Sequence, residues 1–507
     1  MSELKYIIVQ AGGKGTRLQK LTRNKPKAIV SVNNQPIIFH LFKKFPKANF
    51  TICADYKQEI LSKYLGVFAG DYSYRVINGN GFTGTCAGLK DCLKTIPENT
   101  PFMLIWCDLV LSPTFDVSGL DIQNNNYIGL SQDFECRWSL NDGKMEEKPS
   151  TQTGIAGLFI FKNKSLLKDV PDSGEFVRWL STKDIKFETL GLSGGKEFGL
   201  YNVVKGVKQP KCRPFNSLTE CIVKQGIDEQ GRKLAVRERN WYSVVAKYNF
   251  KNLPHIYNLD PLIMQKIDGE PIYTYSDLPT EDKKVILQKI VACLKELHNL
   301  GSIDSVKESY DDNYIQKTIA RVEPVKHLIP FANEKYITIN GKKCKNFLFY
   351  MDAIKQQMEK YYPKKFVFLH GDSTFSNILL DQDKNPILID PRGYFGKTEL
   401  YGDVAYDWAK LYYSLYTNYD QFNLKNFDLT INENDVELDI PQNNWEGLKD
   451  YYLDMIKDEV TPDQINLILA LIWLSLTTYA WDDYDSICGA FYKGLLVLNE
   501  CDFLKEV

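Results

Sequence analysis

Two stretches of this sequence carry side chains whose types and spacing could act on phosphates. The first is His370-Gly371-Asp372-Ser373-Thr374-Phe375-Ser376-Asn377, followed by apolar Ile378-Leu379-Leu380, a polar turn over 381–385, and apolar Ile387-Leu388-Ile389 ending in Asp390. Two short strands joined by a tight turn bring Asn377 and Asp390 near each other. In such an arrangement Asp372 orients an attacking hydroxyl or accepts its proton, while Asn377 and Asp390 hold Mg2+ on the phosphates of ATP. The second is Ala11-Gly12-Gly13-Lys14-Gly15-Thr16-Arg17-Leu18, directly after an apolar strand, with Asn24-Lys25-Pro26-Lys27-Ala28 close behind. A glycine-rich turn after a strand brings backbone N–H groups against phosphate oxygens. Lys14 and Arg17 add charge-assisted contacts to a triphosphate, and the Pro-stiffened turn presents two more lysines. Glycines alone carry little weight; the two segments together carry the reading.

Elements of matching order must position these residues. Residues 6–10, 50–54, 102–106, 127–130 and 157–161 are strand candidates, with helical candidates at 36–44 and 86–94. Strand, helix, strand at this spacing predicts a three-layer α/β domain with a mostly parallel sheet. Lys, Pro and Gly interrupt the pattern over 206–214, which marks a linker. Residues 215–265 are strand-rich with one helix over about 231–246, and helical periodicity dominates from Glu281 onward. The expected division is a domain over 1–208 and a second over 213–507. Its N-lobe covers about 213–268 and its C-lobe about 269–507.

Composition narrows the partners. The chain has 507 residues, 62 basic and 64 acidic side chains and a net charge of −2. That balance gives no reason to expect nucleic acid or a membrane surface, so phosphate binding must come from local placement of Lys, Arg and backbone amides. The most apolar stretch, 467–476, is about half the length of a spanning helix and predicts a buried helix rather than membrane insertion. The N-terminus shows no basic region followed by a long apolar run, so no signal peptide is expected. Eleven cysteines without a CxxC pair or clustered histidines predict buried thiols in a reducing cytoplasm, not disulfides or zinc.

The glycine turn and the Asn24–Ala28 segment resemble the signature of sugar-phosphate and choline-phosphate nucleotidyltransferases. The resemblance covers roughly residues 5–205. It implies that Ala11, Gly12, Gly13, Gly15 and Thr16 bind the nucleotide, and that Lys14, Arg17 and Lys27 act on the triphosphate. Gly84-Thr85-Cys86-Ala87-Gly88-Leu89 is similar to the loop that contacts the nucleobase. The apolar run 102–107 ends in Asp108, which stands where the family holds its catalytic Mg2+. Glu146-Glu147-Lys148-Pro149 and the glycine strand containing Gly157 resemble the sugar-phosphate members, implying substrate contacts from Glu147, Lys148 and Gly157. Many relatives carry a second metal-binding aspartate before a Gly-Thr pair. Here the nearest match is Glu197-Phe198-Gly199-Leu200, in which Glu197 is either an oxygen ligand to Mg2+ or a solvated loop residue.

The second half, about 213–507, resembles the aminoglycoside phosphotransferase and choline kinase group. Asp390-Pro391-Arg392-Gly393 stands where protein kinases have Asp-Phe-Gly, with the metal-binding aspartate retained. Lys224, which ends the apolar strand Cys221-Ile222-Val223, is the expected ATP-positioning lysine, with Glu238 of the next helix as its ion-pair partner. The alternative is a surface lysine on an edge strand. Asp403 either braces the active-site loop or caps the helix it begins. His298, on an amphipathic helix, reads as structural.

The expected fold is therefore a Rossmann-like nucleotidyltransferase domain with a mixed, mostly parallel sheet, joined to a two-lobed, protein-kinase-like α+β domain. The two resemblances together imply phosphorylation of a small hydroxyl compound with ATP, then coupling of that phosphate to a nucleoside monophosphate from CTP or UTP. The product would be an activated precursor for a bacterial surface polymer. Segments 84–89 and 147–149 favour a sugar 1-phosphate; the kinase resemblance also permits phosphocholine, phosphoethanolamine or another phosphorylated polyol or amino alcohol. The rival reading makes one half a binding or regulatory module. Mg2+ is the expected cofactor, and the sequence leaves homo-oligomerisation open.

Overall fold

A computed structural model describes residues 4–79, 81, 83–207, 215–217, 221–226 and 229–505. The expected domain boundary between 208 and 213 lies outside the described residues. The chain divides into two compact units. One is Met1–Gln209 with Trp481–Asp485, the other Pro210–Ala480 with Ser486–Val507.

The first unit is built on a nine-stranded mixed sheet. Its parallel centre runs Phe102–Trp106, Tyr6–Gln10, Asn49–Ala54, Ser73–Asn78. The first three are short apolar runs buried on both faces, as a parallel sheet covered by helices requires, whereas Ser73–Asn78 at the edge is mixed in character and partly exposed. Gly154–Phe161 joins antiparallel to Phe102–Trp106, and all eight of its residues are buried. Tyr6–Gln10 is flanked by strands reached in opposite directions along the sheet. The crevice beyond its C-terminal end is thus a topological switch point, where ligands bind in open α/β sheets. The helix expected over 86–94 is confined to Leu89–Leu93. Gly88 lies in the left-handed region at φ 71°, and the residues before it are held in a turn by the bond from Cys86 N–H to the Gly174 carbonyl, 3.0 Å. That turn chemistry overrides helical periodicity.

The second unit opens with a four-stranded antiparallel sheet in the order Phe215–Ser217, Cys221–Lys224, Leu262–Gln265, Ile256–Leu259. Helix Glu229–Val245 lies between the second strand and the last two in sequence. Helices Thr280–His298, Val404–Leu415 and Pro462–Leu474 follow. The last contains most of the apolar run 467–476 and is buried from Leu467 to Leu474. Among the described residues no helix is long and apolar enough to cross a membrane. The ten described cysteines are free, nine of them buried; Cys212 lies outside the described residues.

Candidate functional site

In the first unit the strand Tyr6–Gln10 delivers the glycine turn. Ala11 N–H still bonds the Cys53 carbonyl at 2.8 Å, so the chain leaves the sheet only at Gly12. Gly15 then adopts φ 64°, and a Cβ there would lie 3.0 Å from the Thr22 methyl. The Thr22 hydroxyl donates to the Gly15 carbonyl at 3.1 Å, closing the loop as the short helix Thr16–Thr22 begins. Gly13, Lys14, Thr16 and Arg17 are exposed, facing solvent rather than the core.

The strand Phe102–Trp106 delivers Asp108, which is 5% exposed. The Lys27 ammonium is hydrogen-bonded to its carboxylate. Glu197 is brought to the same place because Lys196–Glu197 pairs antiparallel with Leu109–Val110, and Phe198 N–H donates to the Asp108 carbonyl at 2.8 Å. Arg17 Nη2 lies 3.6 Å from Glu197 Oε1. A Cβ on Gly199 would sit 2.5 Å from Glu197 Oε1 and 3.1 Å from Asp108 Oδ2, so both carboxylates and Arg17 crowd one glycine. Burial, with the neighbouring Asp108 charge, pushes the Glu197 carboxyl above its usual range. Two carboxylates and two cations thus meet at the crevice, although their sequence positions are far apart. Mg2+ is a hard cation commonly held by one or two carboxylates plus substrate phosphates and water. The Asp108–Glu197 donor set fits that pattern.

The segment 83–86 is tied to both the strand end and the loop near 174. Gln10 Nε2 donates to the Thr85 carbonyl at 2.8 Å, and the Phe176 N–H donates to the Thr85 hydroxyl at 2.7 Å. Gly84 takes φ 92°, with the Gly174 carbonyl where a side chain would begin. Gly157 is required for a packing reason: at φ 77°, a Cβ would lie 2.0 Å from the Trp106 ring. Glu147 is exposed and engaged by Arg137 and by Arg178, the latter at 2.6 Å; both lower its carboxyl below the usual range. Lys148 is exposed.

Lys25 behaves differently from Lys27. It is 2% exposed and bonds Asp483 at 2.7 Å and Asp485 at 2.6 Å. Burial would lower the ammonium pKa, but the two carboxylates overcome it and raise it. Asn24 Nδ2 also donates to Asp485 at 3.0 Å, and Ser31 Oγ to Asp482 at 3.1 Å. No pattern in the sequence signals this brace, because its partners lie more than four hundred and fifty positions away.

In the second unit the hairpin Ile378–Leu380 and Pro386–Leu388 holds Asn377 beside the residues leading to Asp390, with Ile389 N–H on the Asn377 carbonyl at 3.0 Å. Asn377 Nδ2 donates to the Asp372 carbonyl at 2.8 Å and to its Oδ2 at 3.0 Å. Asp390 sits at φ 56°, a left-handed conformation that a non-glycine residue adopts at some cost and that recurs at functional sites. Lys224 reaches Glu238 at 2.6 Å and is hydrogen-bonded to Asp390. Glu238 is 2% exposed. Burial acts to depress the Lys224 ammonium, but Asp390 and Glu238 outweigh it. Lys224 thus holds Glu238 and Asp390, Asn377 holds Asp372, and the backbone bond from Ile389 to Asn377 sets the two groups side by side. Asp390 and Asn377 offer the oxygen donors Mg2+ prefers.

The brace of this loop is Asp407. Its Oδ2 accepts from His370 N–H at 2.9 Å, its Oδ1 from Gly371 N–H at 2.7 Å, and His298 Nε2 lies 3.1 Å from Oδ2. Asp403, one turn earlier, caps helix Val404–Leu415 through Ala405 N–H at 3.1 Å and accepts from the Tyr314 hydroxyl at 2.9 Å. The capping alternative describes Asp403, and His298 is structural through Asp407. His370 accepts Asp372 N–H at Nδ1, 3.2 Å, which leaves Nε2 as the donor to the Ile389 carbonyl at 2.9 Å. Burial keeps this imidazole's pKa low. Sequence reasoning also missed Lys410, whose ammonium lies 2.9 Å from Asp372 Oδ1. Burial would raise the Asp372 carboxyl, but Lys410 and Arg392 hold it below its usual value. The signal was available as spacing: 403, 407 and 410 share one helix face.

Comparison with known proteins divides the chain in the same order. Residues 7–119 match the family model of the MobA-like NTP transferase domain, and residues 234–430 that of the phosphotransferase enzyme family. The chain thus joins an NTP-transferase domain to a phosphotransferase-family domain. Mannose-1-phosphate guanyltransferase of Saccharomyces cerevisiae is 27% identical over 116 residues, 21% of this chain and 32% of that protein. Glucose-1-phosphate cytidylyltransferase of Salmonella typhimurium is 37% identical over 60 residues, 11% of this chain and 23% of that protein. The chain spans at most about a third of the length of these curated relatives. The crystal structure of HddC from Yersinia pseudotuberculosis complexed with GMP-PN aligns at 22% identity over 40% of this chain and 98% of its own, with a TM-score of 0.34.

Proposed function

We propose that the protein is a bifunctional kinase and nucleotidyltransferase. The carrying observation is that each unit gathers, from distant stretches, a lysine bonded to an aspartate at the end of its site: Lys27 on Asp108, and Lys224 on Asp390. In the second unit a small hydroxyl compound, a sugar or an amino alcohol or polyol, attacks the γ-phosphorus of ATP. Its proton passes to Asp372, the bond to the β-phosphate oxygen breaks, and ADP leaves. Lys224, fixed by Glu238, positions the nucleotide; Asn377 and Asp390 hold Mg2+. In the first unit the phosphate so made attacks the α-phosphorus of CTP or UTP, and pyrophosphate leaves. Asp108 and Glu197 hold Mg2+, which offsets the charge of two approaching anions, and Lys14, Arg17 and Lys27 steady the leaving group. The glycine turn and Gly84–Thr85 seat the nucleotide, and Glu147 and Lys148 face the substrate. The pyrimidine choice is supported by the Salmonella relative's name; the yeast relative's name makes GTP the competitor to exclude. An activated precursor of a bacterial surface polysaccharide is the product this pair of reactions suits.

The test is a screen of the full chain with Mg2+ against four NTPs and small alcohols and their phosphates, reading pyrophosphate and ADP release separately. Both products are expected, each with its own substrate requirement. Release of only one under every condition would leave the other unit as a binding module.

A further inference from the structure

The surroundings of Asp372 contain more positive charge than the phosphotransferase reading uses. Lys410 Nζ is 2.9 Å from Asp372 Oδ1 and 6.0 Å from the centroid of the Tyr406 ring. Lys317 Nζ lies 5.3 Å from the same centroid, and Arg392 Nη1 donates to the Tyr406 hydroxyl at 2.9 Å. Arg392 Nη2 donates to the Tyr394 hydroxyl at 2.9 Å, and Arg237 covers that ring at 4.0 Å. Lys317 otherwise donates to Asn313 Oδ1 at 2.8 Å, and Arg321 to the Ser475 carbonyl at 2.7 Å. Among the described residues, no carboxylate forms an ion pair with Lys317, Arg321 or Arg392. Burial, then the charges of Arg392, Arg321 and Lys410, press the Lys317 ammonium well below its ordinary pKa. The nearby acids do little to balance this: Asp312 acts on Lys317 more weakly than these cations, and Asp403 is spent on Ala405 N–H and Tyr314.

Two further features mark the place. Lys317 directly follows a π-helical turn, Asp312–Gln316, a distortion frequent at functional sites. Asn313, 3% exposed, has a side-chain nitrogen with no hydrogen-bond partner. Leaving such a donor buried and unpaired is costly unless a ligand satisfies it. Ammonium groups, two guanidiniums and tyrosine hydroxyls around an unpaired amide form a donor set for an oxyanion. The faces of Tyr406 and Tyr394 are already covered by Lys and Arg, so they do not offer a cage to a quaternary ammonium.

We infer that the acceptor phosphorylated in the second unit carries an anionic group, a phosphate or a carboxylate, bound by Lys317, Arg321 and Arg392 while its hydroxyl meets Asp372. This rests on the kinase reading above and narrows its acceptor to hydroxyl compounds that are already acids. The amino alcohols, choline and ethanolamine among them, are disfavoured by like charge.

The experiment uses the full chain with Mg2+ and a non-hydrolysable ATP analogue, titrated in separate arms with inorganic phosphate, acetate and choline. Lys317→Met and Arg321→Met are run beside the wild type, with Lys317→Arg as the conservative control. Phosphate or acetate is expected to bind the wild type and Lys317→Arg, and to bind each Met variant at least tenfold more weakly, with affinity for the ATP analogue kept within twofold. The stronger of the two arms tells phosphate from carboxylate. Equal anion binding in all variants, tighter binding of choline than of either anion, or collapse of ATP-analogue affinity in the Met variants overturns the inference. Failure of the kinase reading looks different: the ATP analogue then binds Asp390→Asn as well as it binds the wild type.

Discussion

The two units place the same pair of atoms, a lysine ammonium on an aspartate carboxylate, at the centre of each site, yet they hold it in different ways. In the second unit the loop His370–Asn377, the hairpin and the brace at Asp407 fall within one stretch of about forty residues, and the loop's amides point straight at that brace. In the first unit Asp108 comes from one strand, Glu197 from another, and the turn bearing Lys27 is anchored through Lys25 to Asp483 and Asp485. A site built from a compact motif can be read from its string of residues. A site assembled at a sheet crevice is specified mainly by what the sheet brings together.

The comparison is tested most severely by removing the central carboxylate from each unit in turn. Asp108→Asn is expected to lower pyrophosphate release by about a thousandfold, or about 4 kcal/mol of barrier, and to leave ADP release intact. Asp390→Asn is expected to do the reverse and to weaken Mg-ATP binding as well. Asp372→Asn is expected to cut turnover while ATP affinity stays within a few fold, since in the proposed mechanism this carboxylate meets the acceptor rather than the metal. Loss of both products in any one of these variants would mean the two centres do not act separately.

The braces come next in size. Lys25→Met removes the buried cation that Asp483 and Asp485 share, which costs about 3 kcal/mol of stability where a buried pair is broken. Thermal unfolding and pyrophosphate release should both suffer, with Lys25→Arg restoring part of each. Asp407→Asn removes the charge that two backbone amides share, worth roughly 2–3 kcal/mol for charged acceptors. ADP release should fall by about thirty- to a hundredfold, and pyrophosphate release should persist. Should Asp407→Asn turn over normally, the amide bonds to it are not what shapes the loop.

Legibility follows the same division. Three of the four strands of the parallel centre were readable as short apolar runs between turn residues, and the expected strands at 6–10 and 102–106 coincide with Tyr6–Gln10 and Phe102–Trp106; Ser73–Asn78, with Ser, Tyr, Arg and Asn in it, gave no such signal. Lys224 and Glu238 were readable from a strand ending in a cation before a helix, and they meet at 2.6 Å. The helix over 86–94 was overestimated because periodicity does not register a left-handed glycine. Gly157, expected from the resemblance as a substrate contact, also answers a packing demand visible only in three dimensions, since a Cβ there would run into the Trp106 ring. Lys25 and Lys27 were indistinguishable as two lysines on a turn; their burial and their different carboxylate partners separate them. Asp403 and Asp407 are one helical turn apart, and only the direction of the loop amides shows which one braces it.

That last pair gives the finest test. Asp403 is 1% exposed, and burial pushes its carboxyl up to about 6, partly offset by bonds from Ala405 N–H and Tyr314. Its folded value lies above the unfolded one, so the folded state keeps the proton longer. The stability this contributes is present below about pH 4 and is lost as pH rises through about 6. Asp403→Asn supplies a neutral group that still caps the helix. The variant should match the wild type near pH 4 and exceed it by roughly 3 kcal/mol at pH 7. Asp420, also raised to about 6 by burial, slopes the same way in both proteins, so the difference between the two curves isolates Asp403. Denaturant unfolding from pH 4 to 8 reads it directly. Parallel curves would show that Asp403 is ionised throughout, and that the Tyr314 and Ala405 bonds to its charged form outweigh the cost of burying it.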